Sequence, residues 1–331
     1  MSDKDLKICP MPWTQCYIHA KEISSCCPNF TYGYSFGNLE EQSFEEIWNG
    51  ERANFFRNEM LSGEFLLCDR KMCTFKDNWL VDASFIKENY YDKNGNVKYP
   101  KTLKMANDFE CNVACITCRD NLFKNNSEHS LRLDNTHKKM TSALNNAEIL
   151  NISGNGDPFA SKYSRNILKE TAKNNPNIKF EICTNGILMT KEMCDNLGIT
   201  DKINLASISL PGATEETYNK IVKYGNFKKV LKNIEWISKQ DNIYDKEINF
   251  VIHQINYKEI PNIVELAEKY NFRVNLTNYY HWRTTYGSDY ESVAVWLPEH
   301  KEHQEFLDVL NLKIVKEHKK WFNEIIASLI V

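Results

Sequence analysis

Cys111, Cys115 and Cys118 stand within eight residues of one another, separated by gaps of three and two. No histidine lies within ten residues of the run, so it supplies three strong ligands and no fourth. A structural zinc ion usually takes four. Three thiolates can instead hold three irons of a [4Fe-4S] cluster and leave the fourth open to a ligand from outside the protein. The plainer alternative is a structural metal or a set of buried thiols, because free cysteine packs as a small apolar residue. The chain has eleven cysteines and opens on Met1-Ser2-Asp3-Lys4-Asp5, without the apolar core of an export signal. That usage points to metal or redox chemistry in a reducing, cytoplasmic compartment and away from disulfides.

The fold around this run is expected to be α/β. From Thr102 onward the pattern is strand, loop, helix, repeated. Strands are predicted over Thr102–Asp108, Glu148–Ser153, Ile178–Cys183, Lys202–Leu210, Ile248–Ile252 and Arg273–Leu276. Helices fall between them; Phe227–Ser238, for example, lines up Val230, Leu231, Ile234 and Ile237 on one face. In parallel β/α barrels the chemistry collects at the C-terminal ends of the strands. The three-cysteine run lies just past the end of the first strand. Gly154-Asn155-Gly156-Asp157-Pro158 follows the second, and Thr184-Asn185-Gly186 the third. Glycines let a backbone approach a ligand closely, although a plain strand-to-helix turn also uses them.

Residues 1–80 hold six of the eleven cysteines: Cys9, Cys16, Cys26, Cys27, Cys68 and Cys73. Ser43 and Glu46 form a capping box ahead of a short helix with Phe44, Ile47 and Trp48 inward. A second helix is expected from Glu51 towards Leu61, with Phe55, Phe56 and Met60 inward. So many turns in so short a segment call for a metal staple, either an iron–sulfur cluster or a four-thiolate zinc site. Cys16 and Cys27 are expected as small core residues, Cys183 as a strand core residue and Cys194 as a helix core residue. Residues 81–100 are expected as a linker, with a turn at Asp92–Asn96. Residues 101–285 would form the barrel and 286–331 a C-terminal helical segment. Within that segment Pro298–Val331 is expected as one helix burying Phe306, Leu310, Ile314, Trp321 and Ile325.

The Cys-x3-Cys-x2-Cys word resembles the signature of the radical S-adenosylmethionine (SAM) enzymes. The N-terminal words Cys9-Pro10-x-Pro12-Trp13, Cys26-Cys27, Gly37-Asn38-Leu39, Phe44-Glu45-Glu46-Ile47-Trp48 and the pair Cys68 and Cys73 resemble the SPASM/twitch module found in many of them. The resemblance implies a partial (β/α)6 barrel of the TIM-like, radical SAM type preceded by a small Cys-rich α+β module. It implies a SAM-binding [4Fe-4S] cluster on Cys111, Cys115 and Cys118, with SAM chelating the open iron. It also implies an auxiliary [4Fe-4S] cluster on Cys9, Cys68, Cys73 and one of Cys26 or Cys27, the family pattern favouring Cys26. Gly154–Pro158 resembles the family's Gly-Gly-Glu-Pro word, which assigns Gly154, Gly156 and Asp157 to SAM. By the same comparison Asn185 and Ser209 are cofactor-binding, Ser209 towards the SAM carboxylate or ribose. Pro211, Val222 and Thr117 depart from residues common in the family at those points. Gln254-Ile255-Asn256 resembles a family Asn at that point, with a helix N-cap region as the alternative. The polar, aromatic run from Asn278 to Arg283, which includes His281, would lie at the barrel rim, where it could meet substrate or be structural.

The function implied is reductive cleavage of SAM to a 5′-deoxyadenosyl radical that abstracts hydrogen from a substrate carbon. The outcome would be oxidation or epimerisation of a peptide or protein residue, with a sugar or small alcohol as the alternative substrate. A non-catalytic iron–sulfur or zinc scaffold is the rival from another class. An electron donor such as flavodoxin or ferredoxin would be a partner. A formal charge of -3 gives no broad basic footprint for nucleic acid. No apolar run reaches about 18 residues, so no membrane span is expected.

Overall fold

The computed structural model describes residues 6–70, 73, 79–152, 155–280 and 290–330. By compactness the chain divides into two units. One is Met1–Phe109, Asn125–Gly156 and Tyr163–Phe180; the other is Glu110–Lys124, Asp157–Lys162 and Glu181–Val331.

The first unit begins with β1 (Lys7–Ile8), α1 (Met11–Thr14), β2 (Gln15–His19), β3 (Glu22–Ser24) and β4 (Gly37–Asn38). Then come α2 (Phe44–Trp48), α3 (Glu51–Ser62), β5 (Val81–Asp82), α4 (Ala83–Asn89) and β6 (Thr102–Ala106). The expected capping box is formed at both ends, Ser43 Oγ accepting from the Glu46 N–H and Glu46 accepting from the Ser43 N–H. Phe44, Ile47 and Trp48 are buried as expected.

The second helix differs from the expectation. α3 buries Ala53, Phe56, Arg57 and Met60, while Phe55 is 51% exposed. Positions 53, 56, 57 and 60 share one face at helical spacing, and 55 lies off it. Arg57 can occupy that face because its guanidinium finds carbonyls, Nε donating to Pro12 O at 2.9 Å and Nη1 to Trp48 O at 2.6 Å. It also lies over the Trp48 ring, 4.5 Å from the centroid.

Residues 81–100 are structured. β5 pairs antiparallel with β1, and α4 follows it directly. Trp48 Nε1 donates to Lys98 O, and the Val97 N–H donates to Asn49 Oδ1. Trp13 Nε1 donates to the Tyr91 hydroxyl.

The cysteine-rich segment contributes strands to the main sheet of this unit. β2 runs parallel to β6, in a register from Gln15 opposite Thr102 to His19 opposite Ala106. β3 and β4 extend the sheet antiparallel beyond β2, and β8 lies parallel on the other side of β6.

After β6 come β7 (Ala114–Cys115), α5 (Ser127–Asn146), β8 (Ile149–Ile152), α6 (Lys162–Asn174), β9 (Lys179–Thr184), α7 (Lys191–Leu197) and β10 (Ile203–Ser209). Then follow α8 (Glu215–Ile221), β11 (Val222–Lys223), α9 (Phe227–Ser238), β12 (Asp245–Ile252), α10 (Ile260–Tyr270) and β13 (Arg273–Asn278). β6, β8, β9, β10, β12 and β13 are the six expected strands, with helices in the crossovers: a partial (β/α)6 barrel. β12 starts three residues earlier than its apolar pattern suggests. Asp245, Lys246 and Glu247 hide that start in the sequence, and ion pairing described below makes it tolerable.

In the second unit β10, β12 and β13 pair in parallel. One face is fully apolar under the helices: Ile208, Ile248, Phe250, Ile252, Val274 and Leu276 are all buried to 0% exposure.

The C-terminal part is not one helix. It is α11 (Tyr290–Val293), α12 (His303–Leu310), α13 (Lys313–Glu317), a 3-10 turn at Lys319–Trp321 and α14 (Glu324–Ser328). Phe306 and Leu310 are core, as expected. Past the break at Asn311 and Leu312 the phase resets, so Val315, Phe322 and Ile326 are buried, while Ile314 and Trp321 are half-buried and Ile325 is 50% exposed.

Candidate functional site

In the second unit the three-cysteine loop is tied down by backbone. Its middle, β7, pairs antiparallel with β11, Cys115 opposite Val222 and Ala114 opposite Lys223. The Ile116 N–H donates to Ile221 O, and the Cys118 and Arg119 N–H groups both donate to Cys115 O, which turns the chain back on itself after Cys115. Burial raises the Cys115 thiol to about 12, and the nearby Cys111 and Cys118 add to the rise. Burial also raises Cys111.

Asp157 organises the loops around these thiols. It is 2% exposed, and its own N–H donates to Glu110 O at 2.8 Å. Its Oδ1 accepts from the N–H groups of Phe159 and Ala160, and its Oδ2 from Thr184 Oγ1 at 2.7 Å and the Asn185 N–H at 2.9 Å. A carboxylate has about four acceptor sites, and this structure fills them. Asp157 is therefore placed as a staple between two strand ends, not as a free acceptor for the SAM amino group. Burial raises its pKa and these four donors oppose the rise.

Asn185 is the predicted residue in direct contact with a cysteine. Its Nδ2 donates to Cys111 Sγ at 3.8 Å and to Asn112 Oδ1 at 2.9 Å. Gly186 follows at φ +77°, where a Cβ would stand 2.8 Å from Ile208 Cγ2, so the turn that aims Asn185 needs glycine. Gly156 is half-buried at the end of the first unit's segment, one residue before Asp157. Gly154 and His281 lie outside the described residues.

Ser209 ends β10, beside Cys183 of the neighbouring strand β9. Cys183 is thus not a core residue, as it was expected to be; it lies half-buried on the sheet face opposite the helices, whereas Cys194 is fully buried. On that same face Ser207 donates to Glu247 Oε1 at 2.6 Å, and Glu247 pairs with Arg273, which also holds Asp245. Asn256 is fully buried, donating to Pro211 O and Val251 O, and is structural.

In the first unit Cys9, Cys26, Cys27, Cys68 and Cys73 line one cavity of about 360 Å³. Cys9 is raised by burial and by the charges of Cys26, Cys68 and Cys73. Cys26, raised to about 12 by burial, feels Cys68 and Cys73 as well, and Lys104 opposes that rise. Cys27 instead meets the Tyr17 hydroxyl. The expectation of Cys27 as a core residue is corrected: it lines the cavity. Cys16 is in the core, at 0% exposure. Sequence reasoning missed Lys104, whose position on an alternating strand was its one signal.

An iron–sulfur cluster-binding domain model (SPASM) matches residues 9–74, and the radical SAM superfamily model matches residues 110–267. The chain belongs to the radical SAM superfamily. Its SPASM domain precedes the SAM domain. It is similar to a probable GTP 3′,8-cyclase of Methanocaldococcus jannaschii, at 26% identity over 50% of this chain and 55% of that one. A GTP 3′,8-cyclase of Clostridium botulinum is 28% identical over 55% and 57%. The FeMo cofactor biosynthesis protein NifB of Methanocaldococcus infernus is 24% identical over 57% and 68%. The chain thus spans little more than half the length of the cyclases it matches. Similar solved structures include TYW1 with a lysine–pyruvate adduct bound, at 21% identity, 70% and 77% coverage and a TM-score of 0.40. Another is Streptococcus suis SuiB, at 17%, 71% and 53%, with a TM-score of 0.41.

Membership brings a SAM-ligating [4Fe-4S] cluster, SAM itself and auxiliary iron–sulfur chemistry in the SPASM domain. The donor sets fit: both consist of soft thiols, partly buried except for the exposed Cys118, and an amide N–H is already aimed at one sulfur of the three-cysteine set. Among the described residues no three His, Cys, Asp or Glu side chains stand together as ligands of a single metal ion. Thiolates on a four-iron cluster each take a different iron and so stand further apart than ligands of one ion. No helix among the described residues is long and apolar enough to cross a membrane.

The staple can be tested directly. Asp157→Asn keeps the shape but turns an amide NH2 towards donors that need an acceptor. Each lost hydrogen bond to a charged group is worth about 1.5–3 kcal/mol. SAM binding to the anaerobically reconstituted protein, measured by equilibrium dialysis, is expected to weaken at least about tenfold. Unchanged affinity would remove Asp157 from the SAM pocket's support.

Proposed function

We propose that this enzyme abstracts a hydrogen atom from a carbon of a small, hydroxyl-rich substrate, such as a sugar or nucleoside, and carries it to an oxidised or epimerised product. Cys111, Cys115 and Cys118 would hold the SAM-binding cluster, which would supply the electron for reductive cleavage of SAM, and Cys9, Cys26, Cys68 and Cys73 would hold an auxiliary cluster able to accept the electron that an oxidation leaves on substrate. Asn185 orients Cys111, Asp157 holds the loop that carries Gly156, and Ser209 stands on the neighbouring strand. Residues 1–80 would serve the auxiliary cluster and 101–285 the SAM chemistry.

The observation that carries the substrate class is the open face of β10, β12 and β13. Register places Ser209, Asn249 and Asn275 in one row across the three strands, and Ser207, Glu247 and Arg273 in the row beneath. Ser209, Asn249 and Asn275 are half-buried, with Thr277 beyond them on the same face. An apolar side chain laid against this wall would leave its amides and hydroxyls unpaired, whereas a polyhydroxyl substrate can pair them. The cyclase relatives carry GTP in their names, which is compatible with such a substrate.

The test is anaerobic reconstitution with SAM and dithionite. 5′-Deoxyadenosine is expected, and its rate should rise with monosaccharides or nucleosides and not with peptides. Stimulation by a peptide alone would replace the substrate class. No 5′-deoxyadenosine under any condition would leave the scaffold reading. Asn249→Leu should lower the stimulated rate about tenfold or more, the scale on which a site rejects a substrate that leaves its polar groups unpaired.

A further inference from the structure

Tyr218 is fully buried, at 0% exposure, yet its hydroxyl has no hydrogen-bond partner among the described residues. Buried phenols normally find one, and an unmatched polar atom in a folded core calls for an explanation. The Asn226 N–H lies beside the hydroxyl but is itself a donor, which leaves the phenolic hydrogen without an acceptor.

The residue is held firmly in this position. It lies on α8, whose first turn is gripped by the Glu259 carboxylate. That carboxylate accepts from the N–H groups of Ala213 and Thr214 and from the hydroxyls of Thr214 and Thr217. The far end of α8 runs into β11, which pairs with β7 on the cysteine loop. Two glycines seat the ring. A Cβ on Gly212 would stand 2.6 Å from the Tyr218 nitrogen, and one on Gly225 would stand 2.6 Å from Cε1 and 2.8 Å from the hydroxyl oxygen. Phe227 packs on the ring with centroids 5.4 Å apart. The charges that Tyr218 feels are those of Cys115 and then Cys111.

We propose that the Tyr218 hydroxyl is the hydrogen-bond donor to the Cys115 thiolate of the loaded SAM-binding cluster, and that it sets how readily the cluster is reduced. This rests on the assignment of Cys111, Cys115 and Cys118 as that cluster's ligands. The idle phenol has a hydrogen to give and no acceptor among the described residues. A neutral thiol is a weak acceptor. As a thiolate it is a strong one. A donor to a ligand sulfur stabilises the more negative, reduced cluster and so raises its reduction potential. Together with the Asn185 amide on Cys111, this gives two of the three sulfurs a designed donor.

The experiment is a redox titration of reconstituted wild type, Tyr218→Phe and Gly225→Ala, followed by electron paramagnetic resonance. The signal read is the one that changes when SAM is added, which separates the SAM-binding cluster from the auxiliary one. Tyr218→Phe is expected to keep its iron and its SAM-sensitive signal while the midpoint moves to more negative potential. Gly225→Ala, which crowds the hydroxyl aside without removing it, should move the midpoint the same way and serves if the first variant does not load. An unchanged midpoint with the signal intact overturns the role of Tyr218. A wild-type protein with no SAM-sensitive signal overturns the ligand assignment and this inference with it.

Discussion

Replacing Cys111, Cys115 and Cys118 together by alanine is expected to abolish 5′-deoxyadenosine formation and to halve the bound iron, from about eight to about four per chain. The loop should survive the change. Its position is set by the β7–β11 pairing and by the Cys111 N–H to Phe123 O and Ile116 N–H to Ile221 O bonds, none of which uses a thiol. Stability in the metal-free state is therefore expected to stay within about 1 kcal/mol of the parent, as for substitutions away from the core. Iron analysis and the absorbance of the reconstituted variant read the result. Four irons with no product would separate the two cysteine sets. Complete loss of iron would mean that the N-terminal thiols hold no cluster of their own, and retention of all eight would free the three-cysteine loop from any ligand role.

The second large effect is expected at Arg57, which touches no cysteine ligand. Its guanidinium, drawn down to about 10 by burial, satisfies the carbonyls of Pro12 and Trp48. Pro12 stands three residues beyond Cys9, in the turn of α1, so this side chain fixes the approach of the first N-terminal thiol. Arg57→Leu keeps an apolar stem and strands two buried carbonyls, each worth about 1–3 kcal/mol. The melting temperature should fall by roughly 2–4 °C for each kcal/mol lost. Auxiliary iron should fall towards zero while the SAM-sensitive cluster remains. Arg57→Lys is not a rescue, because one ammonium cannot reproduce the planar fork that spans both carbonyls. A normal iron content in Arg57→Leu would restrict the arginine to packing.

Much of this was legible in the residues. Alternation and spacing located all six barrel strands, because an apolar face under the helices repeats every second residue and leaves a strong local signal. The Ser43–Glu46 box was legible for the same reason: capping is local chemistry. What escaped depends on distant partners. β2 is only Gln15–His19, and its identity as a strand comes from β6, far along the chain. Arg57 reads as a solvated residue until Pro12 and Trp48 present their carbonyls to it. The charged start of β12 reads as loop until Arg273 and Ser207 meet Asp245 and Glu247. Cys183 looked like strand core because periodicity cannot tell a helix-covered face from an open one. In the tail, one break at Asn311 shifted every later inward position. Around the three-cysteine loop the motifs carried no trace of the long-range contacts: Asp157 is saturated by internal donors, and Tyr218 gave no sign of its idle hydroxyl.

The pairing of β2 with β6 carries an evolutionary corollary. A cluster module that merely trailed a barrel on a tether could be lost, duplicated or exchanged as a cassette. Here, excising it would strip five residue pairs from the flank of the barrel's opening strand and bare a sticky backbone edge. The two halves of this protein are thus bound to be inherited together, and grafting the front onto another catalyst would require that catalyst to offer a matching first strand.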